Sequence, residues 1–109
     1  MIDTHTELET DSASPVLFSA PVKWEQNGLT HSFGTLNVTH HRVEYVPGKI
    51  SLLGVPLSIP RDLIEAALKR DNFLWRGAVI VQLKQPINGR LQFIFFLGGR
   101  YKEFLDLIS

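Results

Sequence analysis

Apolar and polar residues alternate along most of this chain, and the alternation has the period of β-strands. Val16, Phe18, Ala20 and Val22 alternate with Leu17, Ser19, Pro21 and Lys23, which predicts a first strand over 16–24. Pro21 has no N–H to donate, so this strand is expected at an edge or broken there. Glu25-Gln26-Asn27-Gly28 is a turn signal, with Asn-Gly its strongest part. A second strand over 32–39 carries Leu36 and Val38 on one face, and a third over 42–46 carries Val43 and Tyr45. Pro47-Gly48 turns the chain into a fourth extended run over 49–59, interrupted by Gly54 and Pro56.

Residues 61–73, RDLIEAALKRDNF, read two ways. Leu63, Ala66, Ala67 and Arg70 have helical spacing, and Glu, Ala and Leu favour helix. Leu63, Glu65, Ala67 and Lys69 also alternate against Ile64, Ala66, Leu68 and Arg70. Residues 77–84 are rich in β-branched residues and predict a firm strand, and a hairpin loop over 85–90 follows. The next strand, 91–97, places Leu91, Phe93, Phe95 and Leu97 on one face. Ile94 and Phe96 face the other way, matching Ile80, and that outer apolar face needs cover. Gly98-Gly99 ends the sheet. Tyr101, Phe104, Leu105 and Ile108 then fall at i, i+3, i+4 and i+7, the stripe of a short helix that must dock to be stable. Strands followed by one terminal helix predict a mainly β domain, a twisted antiparallel sandwich or partly open barrel with the helix plugging one end.

Composition sets the limits. The chain has 109 residues, enough for one domain, and 44% of them are apolar. It has no cysteine, which removes disulfides, thiolate metal sites and a cysteine nucleophile and suits a reducing, cytoplasmic compartment. No apolar run approaches the ~18 residues of a transmembrane helix. Residues 1–15 are polar, end in Ser-Ala-Ser-Pro and lack a basic n-region, so they read as a disordered acidic tail rather than a secretory signal. The sequon Asn37-Val38-Thr39 carries no meaning without secretion. Net charge is zero, but Asp3, Glu7, Glu9 and Asp11 all lie in the tail. Residues 16–109 hold all 11 basic residues against the other 7 of the 11 acidic ones, a net of +4. That balance permits contact with anionic lipid or an acidic partner and falls short of a nucleic-acid signature.

The most unusual cluster is His40-His41-Arg42. Neighbouring strand residues point to opposite faces, so the two histidines do not readily share a metal, and no metal site is expected. A polar turn accounts for them, with a phosphate-facing or pH-sensitive surface as the functional alternative. Lys69, Arg70 and Arg76 surround Phe73-Leu74-Trp75, a composition that suits a loop dipping into a membrane interface. No nucleophile elbow, phosphate loop or dinucleotide motif is present, so no catalytic residue, cofactor or enzyme activity is expected.

Gly34-Thr35-Leu36-x-Val38-Thr39-x-x-Arg42-Val43-x-Tyr45-Val46 resembles the GRAM-domain pattern of the pleckstrin-homology-like superfold. Val55-Pro56-Leu57-Ser58-Ile59, the hairpin with Phe93 and Phe95, and the helix with Phe104 and Leu105 are similar to later parts of those domains. The resemblance covers 16–109. It implies about seven antiparallel strands capped by a helix, with 62–73 as a strand. It also implies a non-catalytic module for membrane association or protein binding. Phosphoinositide-binding relatives carry several Lys and Arg in the loop between strands 1 and 2. Here Glu25 to His31 holds none, which argues against specific binding of a multiply phosphorylated headgroup.

Two binding readings follow. The first is peripheral contact with anionic lipid through Lys23, Arg42, Lys49, Lys69, Arg70 and Arg76. The second is a protein-interaction surface of Trp75, Ile80, Ile94 and Phe96, or an edge strand, with a homodimer among the partners it allows.

Overall fold

The computed structural model describes residues 15–25, 31–48, 55–70 and 77–108. The tail, the Asn27-Gly28 turn, Lys49, and the segment with Phe73, Leu74, Trp75 and Arg76 lie outside the described residues.

The alternating runs form β1 (Phe18–Glu25), β2 (His31–Val38), β3 (Arg42–Pro47), β4 (Leu57–Pro60), β5 (Ile64–Arg70), β6 (Ala78–Ile87) and β7 (Arg90–Phe96), followed by α1 (Tyr101–Ile108). They make one antiparallel sheet in the order β4-β3-β2-β1-β7-β6-β5. The junction between β1 and β7 is narrow. Only Lys23, Trp24 and Glu25 pair with Phe96, Phe95 and Ile94, whereas β1 pairs with β2 along all eight residues. The sheet therefore bends into a four-stranded and a three-stranded layer. A single 3-10 turn, Arg61–Leu63, carries the chain from one outermost strand to the other. The outcome is a partly open sandwich rather than a closed barrel.

The inward residues of both layers make one core. Phe18, Ala20, Val22 and Trp24 of β1 meet Leu36 and Val38, Val43 and Tyr45, Leu57 and Ile59, and Val79, Val81, Phe93 and Phe95. Trp24 is the aromatic centre, edge-on to Tyr45 at 4.9 Å and to Phe93 at 5.9 Å between ring centroids. Truncating a residue in such a position costs about 3–5 kcal/mol. The Tyr45 hydroxyl lies deep in this core, and Ser32 gives it a buried hydrogen-bond partner. Helix α1 closes the remaining gap by seating Phe104 against Phe18, with ring centroids 6.0 Å apart.

Four departures from local sequence signals have packing reasons. Residues 64–70 form a strand despite their helix propensity, because Ile64 and Ala66–Arg70 pair with β6 and Ala67 packs on the core. Pro21 sits within an unbroken β1. Pairing with β7 starts only at Lys23, so one side of β1 has no ladder there. The hairpin loop is only Asn88-Gly89, with φ of 52° and 77°, the left-handed pair of a type I′ turn. Leu91, expected inward with Phe93 and Phe95, is exposed: the β6–β7 register shifts between Gln82 and Ile87, and the hairpin tip lies past the core.

Two glycines are required by close approach. A Cβ on Gly34 would lie 2.1 Å from the Val46 carbonyl oxygen. At Gly77, φ is +72° and a Cβ would lie 2.3 Å from the Gly98 carbonyl oxygen.

Candidate binding surface

The outward residues of β1, β2 and β7 meet at the end of the sandwich where β1 finishes and β2 begins. The register there forms one row across the strands. Arg70 pairs with Ala78, Ala78 with Phe96, Phe96 with Lys23, and Lys23 with Phe33. Lys23 Nζ lies 4.7 Å from the centroid of the Phe96 ring, so both side chains lie on the outer face. Phe33 is 59% exposed. Val46, opposite Thr35, is one diagonal step from Phe33, roughly 7–8 Å in such a ladder, and is also exposed. Val46 continues into an open cleft of about 390 Å³ beside edge strand β4, with Glu44, Tyr45, Pro56, Leu57 and Ser58. The result is a surface with an exposed aromatic ring, exposed valine and a lysine ammonium side by side.

The proposed basic residues do not converge on one patch. Lys23 and Arg70 share the row, about 14 Å apart at ~4.8 Å per strand step. Arg42 begins β3 six residues before Gly48, which bonds to the Phe33 carbonyl, so roughly 20 Å of strand separates Arg42 from the row. Its guanidinium donates to Ser58 Oγ at 2.7 Å. Lys69 pairs with core residue Val79, faces the helix side, and holds its ammonium 4.8 Å from the Tyr101 ring centroid. Lys49 and Arg76 lie outside the described residues.

The apolar set divides as well. Ile80 and Ile94 do pair on the outer face of the three-stranded layer. Ile94, however, is 6% exposed and so is not an open contact, while Ile80 and Phe96 are half-buried. Phe33 was legible as an outward residue, since it lies an odd number of positions from Leu36 and Val38.

The opposite end is built differently. His40 and His41 are in the turn between β2 and β3, not on a strand, and both are exposed. The alternation argument against a shared metal does not apply to them. Among the described residues, no cluster of three or more His, Cys, Asp or Glu side chains suits a metal ion. Thr39 Oγ1 accepts the backbone N–H groups of His41 and Arg42 at 3.2 and 3.1 Å. Arg61 ties the whole end together. Its backbone N–H reaches the His41 carbonyl at 2.8 Å. Its guanidinium donates to the Thr39 carbonyl at 3.0 Å and to the Leu107 carbonyl at 2.7 Å, near the C-terminus of α1. This structural arginine had no distinguishing sequence signal.

No protein-family model matches the chain, and no curated protein matches it. Solved structures do. The C-terminal domain of an unknown protein from Leishmania infantum is 16% identical, with a TM-score of 0.71 over 96% of this chain and 90% of that one. The Slm1-PH domain, solved in complex with D-myo-inositol-4-phosphate, is 16% identical, with a TM-score of 0.64 over 85% of this chain and 94% of its own. At such identities the likeness concerns the fold, which is pleckstrin-homology-like.

Proposed function

We propose that this pleckstrin-homology-like domain is a non-catalytic binding module that associates peripherally with anionic lipid. The observation that carries the reading is exposed Phe33, beside Val46 and Lys23 on the outer face. An aromatic ring with an adjacent ammonium suits the headgroup boundary, where the ring enters the apolar edge and the charge meets phosphate. Arg70 shares the row, and in sequence Lys49 follows Gly48 and Arg76 precedes Gly77. Trp75 adds an aromatic beside Arg76. Each basic residue near an anionic surface contributes about 1 kcal/mol, so binding is modest and weakened by salt. The inositol phosphate bound by the Slm1-PH domain and the GRAM-like pattern of residues 34–46 support the same ligand class.

Vesicle co-sedimentation tests this. Binding to phosphatidylcholine vesicles containing phosphatidylserine or phosphatidylinositol 4-phosphate, and not to phosphatidylcholine alone, is the expected result. Equal and negligible binding to both would remove the proposal. The rival protein-interaction reading loses Ile94, which is buried, and rests on edge strand β4 and its cleft. Absent lipid binding, with Phe33→Ala abolishing capture of a protein partner, would favour it.

A further inference from the structure

The β2–β3 end carries a second basic surface, independent of the lipid reading. His40, His41, Arg42, Pro60, Arg61 and Asp62 surround an open cleft of about 320 Å³. Two guanidinium groups and two imidazoles share it with one carboxylate. The hydrogen-bond partners that fix the Arg61 guanidinium are neutral carbonyls, which do not cancel its charge.

The N-terminal segment reaches the fold beside this cleft. Leu17 N–H donates to the Val38 carbonyl at 2.7 Å, and Phe18 pairs with Val38, so the chain preceding β1 runs next to Thr39 and His40. Residues 1–14 carry Asp3, Glu7, Glu9 and Asp11 and no Lys or Arg. Two surfaces border their point of attachment. One, lined by Leu17, Phe18 and Leu107, bears Glu103 and Asp106, and like charge disfavours an acidic segment there. The other is the cleft of His40, His41, Arg42 and Arg61, where charge is complementary. Asp11 is four residues from Pro15 and Glu9 is six, reaches of up to roughly 14 and 21 Å in extended chain.

The geometry points to residues 1–14 as the occupant of this cleft, folded back in cis so that their carboxylates meet His40, His41, Arg42 and Arg61. Asp62 on the rim opposes the contact but is outnumbered. Tethering supplies the rest, because a short linker gives an effective concentration in the mM range, enough for a weak ionic contact.

The chain lacks cysteine, so a single nitroxide on a Thr6→Cys variant of the full chain reports the segment's position. The expected result at low salt is at least twofold stronger broadening of the His40, His41 and Asp62 amides than of the Gln92 amide. That excess should vanish near 1 M salt, where the Debye length is about 3 Å. It should also vanish when Asp3→Asn, Glu7→Gln, Glu9→Gln and Asp11→Asn are added. Broadening unchanged by salt and by neutralisation would reflect tethering alone and overturn the proposal. So would broadening centred on Glu103 and Asp106, or absent from His40 and His41.

Discussion

The two ends of the four-stranded layer use polar and aromatic residues in opposite ways. At the β2–β3 end, Thr39 and Arg61 are spent on backbone groups: the His41 and Arg42 amides, and the carbonyls of Thr39 and Leu107. At the β1–β2 end, Phe33 and Val46 point outward, and among the described residues no core contact accounts for them. Side chains that satisfy the backbone explain themselves as structure. An apolar side chain left in water beside a cation calls for a binding explanation.

The largest expected effect tests how far the β1–β2 end is structural as well. Gly77→Ala forces a side chain into left-handed backbone and against the Gly98 carbonyl. It should cost about 2–4 kcal/mol in chemical denaturation. A loss below 0.5 kcal/mol would mean that the approach of Gly77 to Gly98 is loose.

Arg61→Ala comes next. It leaves the Thr39 and Leu107 carbonyls without a charged donor and should cost about 2–3 kcal/mol. Under folding conditions its vesicle binding should match the parent, and a selective loss of binding would erase the contrast between the ends.

Phe33→Ala should do the reverse. Stability is expected to stay within ~0.5 kcal/mol, as for other surface positions. Affinity for anionic vesicles should fall by about 1.5 kcal/mol, on the order of tenfold. Unchanged affinity would move the lipid contact elsewhere.

The smallest effect belongs to α1. The hydrogen bond from Arg100 Nε to Glu103 Oε1, at 2.5 Å, holds the Glu103 carboxyl below its ordinary 4.5. A lowered folded-state value stabilises above the unfolded value, and that contribution disappears as pH falls through the lowered one. Glu103→Gln should therefore melt slightly below the parent near neutral pH and together with it in acid. A gap that widens in acid would contradict the assignment. Both side chains are solvent-exposed, so the difference is small.

Much of the scaffold was legible because period-2 alternation needs only local information. β1, β2, β3, β6, β7 and α1 lie close to the expected segments, and the stripe of Tyr101, Phe104, Leu105 and Ile108 marks the docked face of the helix. The site was legible in fragments. Lys23 and Arg70 were candidates by charge, but only the pairing of β5 to β6, β6 to β7 and β7 to β1 places them in one row with Phe33.

The sequence by itself determined the inward set of β1, β2 and β3 and, apart from Leu91, of β7, the absence of thiol chemistry, and the split between an acidic N-terminal segment and a mildly basic remainder. Tertiary structure decided between the two readings of residues 64–70 in favour of the strand that the family resemblance implied, because pairing with β6 outweighs propensities of tenths of a kcal/mol. It also decided that Arg61 is structural: only the meeting of the β2–β3 turn, the β4–β5 turn and the end of α1 gives its guanidinium two carbonyls to bind.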